Sequence, residues 1–258
     1  MIKEKNYYSV VDMIQLDKER EFIPLTVDGM FKGLFKKDLN LLKDFVLSQI
    51  GLEIEDGMCK IELLDSELVK DKVDEYQKTV DIYVTISKIN IVIQIDKDYF
   101  DNVDKKNFVF NDELHTLLYE RDDANNIDNS FDIEINLDDT DDKDYKKMKD
   151  GVDRIVFLGL NTGIIYDNYR LTYIKYLKYF RDLYYDRETK LDRSNIWLVL
   201  FASKSFLEMY NILGKLFDDN RREEFIRNVI DIIDDKKVID DWKLRKLNEF
   251  VNFKRTRI

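Results

Sequence analysis

The chain has one cysteine, one proline, one histidine and eight glycines in 258 residues. A single cysteine, Cys59, excludes an internal disulfide framework and suits a reducing compartment. A single histidine, His115, excludes a multi-histidine metal site; a lone helical histidine reads first as surface or satisfied core. Pro24 alone makes no proline-rich linker. The glycines form no phosphate cradle: the nearest pair, in GLNTGIIYD, lacks both the G-K-[ST] and the G-x-G-x-x-G spacing. No apolar run approaches the ~18–20 residues that span a bilayer. The opening MIKEKNYYSVVDMI holds no apolar core of signal-peptide length. These absences lead us to expect a soluble, cytoplasmic protein without membrane partners.

What is present is a globular composition, with 44% hydrophobic and 13% aromatic residues. The net charge of −11 disfavours a protein that binds polyphosphate over its whole surface. The charge is uneven. Residues 122–150 carry 11 acids against 4 lysines, whereas the last 16 residues carry six basic side chains and one acid. Both stretches read first as solvated surface. Read functionally, they are a nucleic-acid-mimicking acidic face and a phosphate-contacting tail.

Apolar spacing of three and four predicts a helix over 28–50, with Phe31, Phe35, Leu39, Leu42, Phe45 and Val46 inward and Asp28 as its N-cap. IELLDSELVKDKVDEYQ is ambiguous between strand and loop. VDIYVTI and INIVIQI, parted by Ser87-Lys88, are β-branched runs that predict a hairpin placed centrally in a covered sheet. Residues 105–120 read as a helix, and FDIEINL and RIVFLGL as strands. From residue 169 the pattern is helical throughout. Tyr169, Tyr173, Tyr176, Phe180 and Tyr184 form a stripe flanked by Arg170, Lys175, Lys178 and Arg181, and further helices follow at 204–218, 221–234 and 238–252. Such a stripe could stack bases beside phosphates, but a helix core face with a basic flank is the simpler reading. The order predicts an α/β core over 1–168, a mixed sheet flanked by helices, and a helical C-terminal region over 169–258.

The chemistry-bearing stretch is the hairpin. Metal-assisted phosphodiester hydrolysis needs clustered carboxylates for Mg²⁺ and a group that orients the attacking water. Adjacent strands supply these economically, because residues two apart share a face. Asp81 opens the first strand, but Val92 stands where the second strand would carry an acid, with Gln94 two residues on.

With these residues in view, the chain resembles the PD-(D/E)XK nuclease family transposases, the recombination-promoting nuclease type. Asp28, Phe31, Lys32 and Phe35 match that family's D-x-x-F-K-x-x-F helix, and Lys78 and Asp81 its lysine and aspartate strand. INIVIQ matches its I-N-I-E-x-Q/N strand except at the glutamate. Lys106, Asn107 and Phe110 echo its R-N-x-x-Y helix, and IEINL its I-x-I-N-L strand. The matching motifs span about residues 25–140; none is specific singly, and their weight lies in the order. The resemblance implies a restriction-endonuclease-like core, Mg²⁺-dependent DNA cleavage in active members and association with mobile elements. It implies Asp81, Gln94 and Lys78 as catalytic positions, Gln94 being the family's usual substitute for the motif lysine. The departure is at Val92, which cannot ligate a hard cation. Asp65 or Glu67 from the preceding segment, or Asp96 two residues beyond Gln94, would be the displaced metal ligand alongside Asp81. Two functions stay open: a divergent DNA endonuclease with a degenerate site, or a non-cutting acidic protein that inhibits a basic nucleic-acid-processing enzyme.

Overall fold

Why the aromatic helices and the β-branched runs separate becomes plain in the computed structural model. It describes residues 7–51, 61–64, 82–86, 89–96, 132–138, 151–155, 157–158, 165–166, 170–186 and 190–255. The chain divides into two compact units. One unites Met1–Leu52 with Phe180–Ile258, and the other is Glu53–Tyr179. The first unit is therefore built from both ends of the chain, and the division differs from the boundary expected at residue 168.

The discontinuous unit is helical. Its elements are α1 (Val10–Glu19), α2 (Asp28–Lys37), α3 (Leu39–Ile50), the end of α4 (Leu177–Tyr185), α5 (Arg193–Phe201), α6 (Phe206–Leu216), α7 (Asp219–Ile233) and α8 (Lys236–Arg255). Short polar side chains start most of them. Ser9 opens α1 with a capping box closed by Asp12, and Asp192, Ser205 and Asp218 accept from backbone amides at the starts of α5, α6 and α7. Residues 28–50, expected as one helix, form two. Asp38 adopts an extended backbone and its carboxylate accepts from the amides of Asn40 and Leu41, which ends α2 and starts α3. Asp28 is likewise not the N-cap; Val27 holds that position, and Asp28 is the first helical residue.

The apolar faces meet in an aromatic core. Phe31 and Phe35 pack edge to face at 5.0 Å, Phe201 lies 5.3 Å from Phe31 and 5.1 Å from Phe45, and Trp197 lies 5.6 Å from both Phe45 and Phe217. Such pairs add to the stabilisation from burial alone. Two glycines let α2 approach its neighbours. A Cβ on Gly29 would meet Val238 Cγ2 of α8 at 2.8 Å, and one on Gly33 would meet Ile232 Cγ2 of α7 at 3.2 Å.

The second unit carries a six-stranded mixed sheet in the order β1-β2-β3-β4-β8-β5. Its strands are β1 (Ile61–Leu64), β2 (Ile82–Ile86), β3 (Ile89–Asp96), β4 (Asp132–Asp138), β5 (Val152–Ile155) and β8 (Arg170–Tyr176). A separate pair, β6 (Phe157–Leu158) and β7 (Ile165–Tyr166), lies outside it. β2 and β3 pair antiparallel, Ile82 opposite Ile93 and Val84 opposite Ile91, whereas β3, β4 and β8 run parallel. Ile82, Val84, Ile91, Ile93, Ile135 and Leu137 are all buried at alternate positions. β8 corrects an expectation: residues 170–176, read as helix, form a strand, so Tyr173 and Tyr176 of the stripe belong to β8 and Phe180 and Tyr184 to α4, while Tyr169 lies outside the described residues. The helix expected over 105–120, with His115, and Cys59 lie outside the described residues. No helix among the described residues is long and apolar enough to cross a membrane.

Candidate functional site

The residues singled out for chemistry fall into two groups, one in each unit. In the sheet unit, β3 is a central strand, flanked by β2 and β4. Along β3 the buried Ile91 and Ile93 alternate with Asn90, Val92, Gln94 and Asp96. Along β4 the buried Ile135 and Leu137 alternate with Asp132, Glu134, Asn136 and Asp138. Because β3 and β4 are parallel and in register, these positions stand side by side. Asn90 is opposite Asp132, Val92 opposite Glu134, Gln94 opposite Asn136, and Asp96 opposite Asp138. On its other side Val92 is opposite Tyr83 of β2.

Gln94 and Asp96 share β3 and are two residues apart, so their positions belong to one side of the pleat. Asp81, Lys78, Glu67 and Asp65 lie outside the described residues. The structure therefore places two of the expected residues, Gln94 and Asp96, on one strand. Among the described residues no three of His, Cys, Asp or Glu come together as a metal site. The Val92 side chain supplies no oxygen donor for a hard cation.

Sequence reasoning missed Glu134, which neighbours Val92 across the parallel ladder. The signal was available in DIEINLD, where acids and an amide alternate with isoleucine and leucine. Only strand order and register, however, turn that alternation into a neighbour of Val92.

The second group is the helix motif DGMFKGLF on α2. Asp28 and Lys32 form an ion pair of 2.6 Å one turn apart. Phe31 and Phe35 are fully buried in the aromatic core, and Gly29 and Gly33 are the points of close approach to α8 and α7. Every matched position of this motif thus has a packing or helix-stabilising task. The charge of the two units also differs. Residues 53–179 hold 30 acidic and 17 basic side chains, a net charge of −13, whereas residues 1–52 and 180–258 together hold 23 acidic and 25 basic, a net charge of +2. The sheet unit thus carries the entire acidic excess. Comparison with protein-family models, with curated proteins and with solved structures finds no match.

Proposed function

We propose that the chain is a divergent nuclease-fold protein of mobile-element type, of metal-dependent DNA endonuclease ancestry, whose cleavage is impaired. The observation that carries this reading is Val92 on the central strand β3. That is the strand on which the resembled family holds its second metal-binding carboxylate, and valine has no donor for a hard cation. The restriction-endonuclease-like core, the roles of Asp81, Gln94 and Lys78 and the ligation of metal by Asp81, Glu67 and Asp96 belong to this same reading. Val92→Glu tests it by calorimetry: the variant gains Mg²⁺ affinity if β3 carries a degraded metal site. Metal binding identical to that of the parent would count against a vestigial site there.

A second reading is favoured by the charge division. An acidic, non-cutting protein can occupy the basic channel of a nucleic-acid-processing enzyme in place of the nucleic acid. What supports it is the net charge of −13 on residues 53–179, which repels phosphate and attracts a basic partner. In this reading binding weakens steeply with salt. Replacing Asp138, Asp139, Asp141 and Asp142 by asparagine weakens it further at fixed salt. A quadruple variant that binds the partner as well as the parent would refute the mimic.

A further inference from the structure

We propose, resting on the reading of β3 as a former metal-binding strand, that Glu134 on β4 supplies the carboxylate that position 92 lacks and binds a hard divalent cation there. Val92 has two register partners, Tyr83 on β2 and Glu134 on β4. Only the second is an acid. Burial fixes the side of the sheet on which they stand. Ile91 and Ile93 on β3 and Ile135 and Leu137 on β4 are fully buried, and strand alternation assigns Val92 and Glu134 to the opposite side. Parallel pairing runs from Asn90 opposite Asp132 to Asp96 opposite Asp138. A slip of one residue would carry Glu134 to the apolar side, so the buried isoleucines and Leu137 hold it in register beside Val92.

The chemistry of the donors fits such an ion. Gln94 and Asp96 on β3, and Asn136 and Asp138 on β4, follow Val92 and Glu134 on the same side, and each of these residue types offers oxygen to a hard cation. Neighbouring strands lie ~4.8 Å apart, about the length of a glutamate side chain, so a carboxylate displaced by one strand still serves an ion beside β3. The same displacement reconciles retained affinity with impaired cleavage. Misplacing reacting groups by ~1 Å costs on the order of 10²-fold in rate, whereas binding requires only that the oxygens reach the ion.

Calorimetric titration of the full chain with Mn²⁺ and with Mg²⁺ tests it. Glu134→Gln, which keeps the size and removes the charge, should weaken binding about tenfold or more. Asp132→Asn, two residues earlier on the same side of β4, controls for the general acidic field and should stay near the parent's affinity. Val92→Glu with Glu134→Val returns the carboxylate to β3 and should bind at least as tightly as the parent. A parent that binds neither ion overturns the proposal, as does a Glu134→Gln that loses no more than Asp132→Asn. If Glu134→Gln binds like the parent while Val92→Glu alone gains affinity, Glu134 is excluded and the former metal strand stands. If neither substitution changes binding, that reading falls as well. Far-UV circular dichroism in EDTA checks that each variant is folded. Should Glu134→Gln fail to fold, the exchanged pair decides, and an exchanged pair without metal binding overturns the proposal.

Discussion

Replacing Asp44 by alanine removes an acceptor by which α3 holds α5 in the helical unit. Asp44, on α3, accepts from Arg193 Nε at 3.1 Å and Nη2 at 2.8 Å, and from the indole nitrogen of Trp197 at 2.9 Å. Arg193 also donates from Nη1 to the carbonyl of Leu216 at the end of α6, 2.8 Å away. Trp197 is fully buried, so without the carboxylate its N–H keeps no acceptor, at a cost of about 1–3 kcal/mol. The ion pair is bidentate but Arg193 is 45% exposed, so its loss costs only about 1 kcal/mol after solvent screening. Together Asp44→Ala should destabilise the unit by about 2–4 kcal/mol. With a urea slope of roughly 2 kcal/mol/M, the midpoint should fall by about 1–2 M. Both tryptophans, Trp197 and Trp242, belong to this unit, so intrinsic fluorescence reports its unfolding. Asp44→Asn keeps an oxygen for the indole and should cost about 1 kcal/mol, mostly the ion pair. A loss below about 0.5 kcal/mol for Asp44→Ala, the size of an ordinary surface change, would refute the reasoning.

Three further outcomes follow from the same unit. Gly29→Ala should be destabilising by about 1–2 kcal/mol, because the new methyl meets Val238 Cγ2 at 2.8 Å. Combining it with Val238→Ala should recover part of that loss, and simple additivity in urea titrations would argue against the close approach. Asp17 accepts from the amides of Phe206 and Leu207 at 2.7 and 3.1 Å and caps α6 from α1; Asp17→Ala should cost about 1–2 kcal/mol by thermal unfolding. Partial burial and donation to the Glu208 carboxylate push the Tyr185 phenol up to about 12. The fold favours its neutral form, so this contribution is complete below pH ~10 and is lost as pH rises towards about 12. Tyr185→Phe should therefore remove part of the decline in urea midpoint over that range; an unchanged alkaline profile would contradict the assignment.

What the sequence discloses and what it conceals divide along physical lines. Apolar spacing marks α6, α7 and α8, and the β-branched runs on either side of Ser87-Lys88 mark the β2–β3 hairpin, because each pattern is local. The break at Asp38 is hidden since Phe35, Leu39 and Leu42 keep a helical interval across it. Only the capping bonds to Asn40 and Leu41 show that the aspartate ends one helix and begins another. β8 is hidden for a different reason. Ile174, Lys175 and Tyr176 are all buried, so the strand shows no alternation, while Tyr173 and Tyr176 lie at the helical interval of three residues and Phe180 follows four on. The Asp44–Arg193–Trp197 network joins residues some 150 positions apart, and no local pattern announces it. At the candidate site, Val92 was conspicuous in the sequence, whereas its neighbour Glu134 required the parallel register of β3 and β4.

The central proposal is that the chain has a nuclease fold and that valine at position 92 impairs its cleavage. The most direct measurement is hydrolysis of labelled single- and double-stranded DNA by the full chain with Mg²⁺ or Mn²⁺, beside Asp81→Ala as the control. The account predicts that the parent shows little cleavage above this control. Robust metal-dependent cutting by the parent that Asp81→Ala abolishes would contradict it.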